Sequence, residues 1–96
     1  MLCARVTLTA GPHHKRYKPD TAVRAVVFAK DAKHPDELDG EAFKPLAARG
    51  WKRMTIDGHK LIADDHKFSA EDAPEAEAFR AALEAGIGVV VIGLVQ

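Results

Sequence analysis

The chain reads as an α+β domain, a two-layer sandwich in which a mixed sheet of about five strands carries two helices on one face. Three observations predict it. Leu2 to Ala10 alternates apolar and polar residues with the period of a half-buried strand. Asp72 to Gly86 places an apolar helical stripe between a capping sequence and a glycine stop. Ile87 to Val95 is a β-branched apolar run bounded by glycine, the pattern of a strand covered on both sides.

The elements follow in order. In the first strand Leu2, Ala4, Val6, Leu8 and Ala10 share one face, and Cys3, Arg5, Thr7 and Thr9 share the other. Gly11-Pro12 ends it, and His13 to Lys18 is a polar, cationic connection closed by Pro19-Asp20. Thr21 to Lys30 is the second strand. Val23, Ala25, Val27 and Ala29 lie on one face, with Val26 and Phe28 on the other, so it is expected to be more interior than the first. The two strands form an antiparallel hairpin with a long loop.

Asp31 to Gly40 is turn-rich, and Leu38, Ala42, Phe43, Leu46 and Ala47 then recur at helical spacing. An interior proline costs about 3 kcal/mol, so the helix is expected to begin near Glu41, with Pro45 in its first turn and Gly50 as its stop. Trp51 to Ala63 reads as a second hairpin, because Asp57-Gly58 matches a two-residue type I′ turn. That register puts Met54, Ile56, His59, Leu61 and Ala63 on one face and Trp51, Arg53 and Ile62 on the other. Asp64 to Glu71 is a polar loop containing Phe68. Asp72-Ala73-Pro74-Glu75 has the spacing of an acidic capping box, and Ala76, Phe79, Ala82 and Leu83 form the buried stripe that follows.

The predicted order is β-β-α-β-β-α-β, with right-handed parallel crossovers and the last strand central in the core. Such a sandwich is ferredoxin-like in general character, an analogy of fold that carries no function. The 96 residues suit one domain, 1–96, and at this size a core forms without staples. The chain is 47% hydrophobic and 29% charged, close to the globular average.

Lys plus Arg and Asp plus Glu both number 14, which disfavours a dedicated nucleic-acid binder and permits self-association near neutral pH. Cys3 is the only cysteine, so no internal disulfide forms, and a reducing, cytoplasmic location is expected. Met1 to Ala10 alternates and contains Arg5, unlike the apolar stretch of a signal peptide. The Ile87 to Val95 run is half the length of a spanning helix, so no membrane partner is expected.

Four groups of residues could carry chemistry. His59, Asp64, Asp65 and His66 combine imidazole with carboxylate, which suits zinc or another divalent transition metal, although their spacing matches no helix-face motif. The same histidines and aspartates are the candidates for general acid–base chemistry. As nucleophiles, Ser69 lacks a G-x-S-x-G elbow, and Cys3 has Arg5 on its face as the one cation that could favour a thiolate. No phosphate-binding glycine loop is present, and Gly86, Gly88 and Gly93 lead into a strand rather than a helix.

The third group is His13, His14, Lys15, Arg16, Tyr17 and Lys18, extended by Lys52 and Arg53. A basic loop with an aromatic suits a partner or an anion, including the phosphates of single-stranded nucleic acid. The fourth is an open apolar sheet face of Val26, Phe28, Trp51, Arg53 and Ile62, with Met54, suited to pairing with a second copy. The leading expectation is a non-catalytic binding or protein-interaction module, homodimeric through that face and without a cofactor. The alternatives are a metal-binding protein or metal-dependent enzyme, and single-stranded nucleic-acid contact through residues 13–18.

Overall fold

The computed structural model describes residues 1–38 and 43–95. Four strands, β1 (Leu2–Ala10), β2 (Ala22–Ala29), β3 (Trp51–Leu61) and β4 (Ile87–Leu94), form one open antiparallel sheet in the order β3-β1-β2-β4. The helices are α1 (Lys44–Ala48) and α2 (Ala73–Ala85), and a 3₁₀ turn spans Pro35–Leu38.

The alternation in β1 sorts its side chains as expected. Leu2, Ala4, Val6, Leu8 and Ala10 join Val23, Ala25, Val27 and Ala29 of β2 in the main core, closed by Leu38, Leu46 and Trp51. Leu2, Leu8, Val23 and Val27 are fully buried, and burying each such side chain contributes roughly 1.5–3 kcal/mol. On the other face Val26 and Phe28 pack beneath α2 against Ala78, Phe79 and Ala82. β2 is therefore buried on both sides, as its pattern predicts.

The structure corrects four expectations. Among the described residues the sheet has four strands, not five, and it is antiparallel rather than mixed. Asp57-Gly58 is not a turn: a type I′ turn needs positive φ at both residues, and neither has it. β3 instead runs straight through and pairs along the whole of β1. Asp57 is its extra, bulged residue, since Arg5 pairs with Gly58 and Val6 with Ile56. A second bulge, at Lys52, pairs Thr9 with Arg53 and Ala10 with Trp51, which moves Trp51 onto the α1 side of the sheet.

The helices, moreover, lie on opposite faces. α1 closes the Leu2/Leu8 core, and α2 covers Val26 and Phe28, so each face of the sheet has its own hydrophobic cluster. Finally, β4 is an edge strand bonded to β2 alone, not the centre of the core. Its lack of alternation has another cause. α2 covers its first half so closely that a Cβ on Gly88 would lie 1.8 Å from the Ala78 carbonyl oxygen. Its last part runs into solvent, where Ile92 and Leu94 are each 59% exposed.

Pro45 sits in the first turn of α1, as the sequence demands. The predicted helix start at Glu41 lies outside the described residues. α2 begins after Asp72, but the capping box does not close: Asp72 makes no cap bond and instead accepts the Ser69 hydroxyl at 3.0 Å. Gly86 ends α2, its N–H donating to the Ala82 carbonyl at 2.8 Å. Among the described residues no helix is long and apolar enough to cross a membrane.

Candidate functional site

The face that carries α2 is only half covered. α2 packs over β2 and β4, while among the described residues most of β1 and β3 on the same face has no helix packed on it. The pleat decides which side chains that open half presents. β1 contributes Cys3, Arg5, Thr7 and Thr9. Register places Arg24 of β2 opposite Thr7, Arg53 of β3 opposite Thr9, and Thr55 opposite Thr7 from the other side. Arg5, Arg24, Arg53 and Thr55 are exposed, and Thr7 and Thr9 are partly so. With strands about 4.8 Å apart and like-facing residues about 6.7 Å apart along a strand, the arginine Cα atoms are separated by roughly 8–14 Å.

This ledge is cationic and incompletely neutralised. Asp57, thrown outward by the bulge, accepts the Thr7 hydroxyl at 2.8 Å. Among the described residues none of the three arginines donates a hydrogen bond or joins an ion pair. The Arg5 guanidinium lies against Gly58, where a Cβ would come within 2.9 Å of Nη2. Next to it is a depression of about 460 Å³ lined by Arg5, Thr7, Arg24, Asp57, Ile92 and Val95, which brings an exposed apolar side chain into the cationic surface.

At the other end of the same face a groove of about 550 Å³ opens between the sheet and the start of α2. Its apolar lining includes Cys3, Val26, Phe28, Ile62 and Phe68, and its polar lining includes Arg5, Lys60, His66, Asp72 and Glu75. Phe28, Phe68 and Phe79 meet edge to face with centroids 5.2–6.0 Å apart, and this triad seats the 64–69 loop on the sheet. Burial pushes the Cys3 thiol above its ordinary pKa, against a smaller opposing pull from Lys60. The thiolate that a nucleophile needs is thus disfavoured.

The remaining predicted residues fall elsewhere. His59 aligns with Ala4 and its ring stands 6.0 Å from that of His34, whereas the His66 ring packs 4.7 Å from Phe68. Asp64 pairs with the chain's amino terminus at 3.5 Å. Among the described residues no three His, Cys, Asp or Glu side chains gather as metal ligands, so His59, Asp64, Asp65 and His66 do not form one site.

Residues 13–18 are held on the α1 side. The His14 ring packs at a tilt, 4.4 Å from Trp51 and 5.2 Å from Tyr17, and its Nδ1 accepts the Arg16 and Tyr17 N–H groups at 3.0 and 3.1 Å. His13, Lys15, Arg16 and Lys18 project into solvent from this anchored turn. At its end, Asp20 pairs with Lys52, which holds the Asp20 carboxyl below its ordinary pKa by hydrogen bond and charge.

The expected open apolar face also divides. Val26 and Phe28 are buried under α2, Trp51 is buried on the opposite side against His14, and Ile62 is half-buried with Phe68; Arg53 alone stands on the open ledge. Arg5 and Arg24 are the ledge residues that sequence reasoning passed over, although alternation alone had already put Arg5 with Thr7 and Thr9. No family model, curated protein or solved structure matches the chain.

Proposed function

We propose that the chain is a non-catalytic protein-interaction module whose working surface is the arginine ledge, and that the ledge docks an acidic protein surface. The observation that supports this most is the gathering of Arg5, Arg24 and Arg53 on one exposed surface, none of them in an ion pair among the described residues, with Asp20 near Arg53 as a carboxylate at its margin. Guanidinium groups suit this role because their planar forks bind carboxylates bidentately and shed water more easily than ammonium. The intervening threonines add hydroxyls, and Ile92 supplies an apolar contact that is solvent-exposed in the monomer.

A phosphate backbone would also satisfy the charges. It fits less well, since the ledge offers no aromatic ring for a base to stack on among the described residues and the whole chain carries no net charge.

Fluorescence anisotropy with a labelled deca-glutamate peptide and a labelled dT10 oligonucleotide tests the reading. The peptide is expected to bind at 50 mM NaCl, to bind at least ten-fold more weakly at 300 mM, and to be lost with Arg5→Glu/Arg53→Glu. Binding of dT10 alone would reject it, as would failure of the peptide to bind both the unmodified chain and a Glu77→Lys/Glu84→Lys chain, in which no acidic helix competes for the ledge.

A further inference from the structure

We infer that the acidic surface is α2 of a second copy, so that two chains form a two-fold dimer in which each helix fills the other's ledge. This rests on the reading of the ledge as an acid-docking surface and names its partner.

Charge is the first argument. Twelve of the fourteen cations precede Leu61, whereas seven of the fourteen carboxylates follow Lys60. The sheet is therefore basic and the region around α2 acidic, although the chain as a whole is neutral. On α2 the exposed side is Glu77, Arg80, Ala81, Glu84 and Ala85, and Glu71 and Asp72 are exposed at its start. Arg80 is the one cation within α2 itself, Lys30 from the end of β2 reaches the Leu83 carbonyl at 3.4 Å, and small Ala81 and Ala85 allow close approach.

Shape is the second. Helix and ledge lie side by side on one face, which makes a step. A helix is about 10–12 Å across, so α2 stands that far above the uncovered ledge. A two-fold axis between α2 and the ledge carries the helix of one copy over the ledge of the other. Both steps fill at once. The result is closed and isologous, two sheets with two helices sandwiched between them, and it leaves no repeating contact to propagate. It also covers Ile92 and Val95, which otherwise stand in solvent at 59% and 39% exposure. A standard interface needs about 800 Å² per partner, roughly an eighth of the 6238 Å² surface of this chain.

Sedimentation velocity between 5 and 100 μM, at 50 and 500 mM NaCl, tests the inference. The unmodified chain is expected to be dimeric at 50 mM and to dissociate at least ten-fold more readily at 500 mM. Arg5→Glu/Arg53→Glu and Glu77→Lys/Glu84→Lys should each be monomeric, with unchanged circular dichroism. Mixed in equal amounts they should form a heterodimer, because both junctions again join opposite charges.

A monomer at 100 μM and low salt would overturn the inference, as would a dimer that ignores both charge reversals but falls apart with Leu94→Lys on the β4 edge. Deca-glutamate separates the two readings, using the Glu77→Lys/Glu84→Lys chain, whose ledge is intact. If that variant binds the peptide while the unmodified chain stays monomeric, only the second-copy assignment fails. If it binds nothing and the unmodified chain is monomeric, both fail.

Discussion

The Arg5 guanidinium rests across the backbone of Gly58, so close that a methyl group there would stand 2.9 Å from Nη2 and 3.4 Å from Nε. The bulge at Asp57 is what puts Gly58 opposite Arg5. The obstruction to a side chain at residue 58 is the end of a flexible side chain, not backbone. Gly58→Ala is therefore expected to leave stability within about 1 kcal/mol in urea unfolding while turning Arg5 off the ledge. Deca-glutamate affinity should fall several-fold in a protein that unfolds at nearly the same urea concentration. Unchanged affinity would show that the seat of Arg5 does not matter.

Gly88 presents the opposite case. Its would-be Cβ meets the carbonyl of Ala78, which α2 cannot move without leaving the sheet. Gly88→Ala should cost about 3 kcal/mol or more, at the upper end of overpacking effects. Gly93→Ala, with nothing within 4 Å, should change stability by less than about 1 kcal/mol. Urea midpoints of the two variants make the comparison, and equal midpoints would mean that α2 does not sit as described.

The Cys3 thiol gives a pH dependence of known sign. Burial raises its pKa in the folded chain, so the folded state holds the thiol proton more tightly than the unfolded state does. Its contribution to stability is complete below the unfolded thiol's pKa, and is lost as pH rises from about 8.5 through the folded value. The stability of the unmodified chain should thus decline more steeply above that pH than that of Cys3→Ala. Iodoacetamide at pH 8 should alkylate Cys3 more slowly in the native chain than in urea. Parallel pH profiles for the two chains would contradict the assignment.

His14 holds the basic turn by accepting two backbone N–H groups at Nδ1. His14→Ala leaves both donors without that partner and removes the ring packed on Trp51, a loss of about 1–3 kcal/mol. Trypsin should then cut after Lys15 or Arg16 several-fold faster. His14→Asn, whose side-chain oxygen can accept in a similar position, should recover part of the resistance. Equal cleavage of all three proteins would mean that the turn is held by something else.

Leu8 is fully buried at the middle of the main core, between Val23 of β2 and Met54 of β3. Leu8→Ala is expected to cost about 2–5 kcal/mol, a large share of the stability of a chain this size. An effect below 1 kcal/mol in urea unfolding would contradict the core position assigned to β1.

What the sequence determined by itself is local. Alternation in β1 sorted Leu2 and Leu8 from Arg5 and Thr7. The two-sided apolar pattern of β2 announced burial on both faces. Pro74 and Gly86 bracketed α2, and Pro45 marked the first turn of α1. Each signal is written within a dozen residues, because strand period, helix period and chain breaking act over that span.

The tertiary structure alone decided which strand pairs with which and what covers each face. Asp57-Gly58 has the composition of a turn, but its flanks gain more by pairing with β1 than with each other, so the turn signal yields to a bulge. Ile87 to Val95 looks central because neither face alternates, yet it lies at an edge where α2 covers one end and water the other. The ledge exists for the same reason. Arg5, Arg24 and Arg53 are far apart in the chain, and only the β3-β1-β2 pairing and the placement of α2 on the far half of their face leave them together and uncovered.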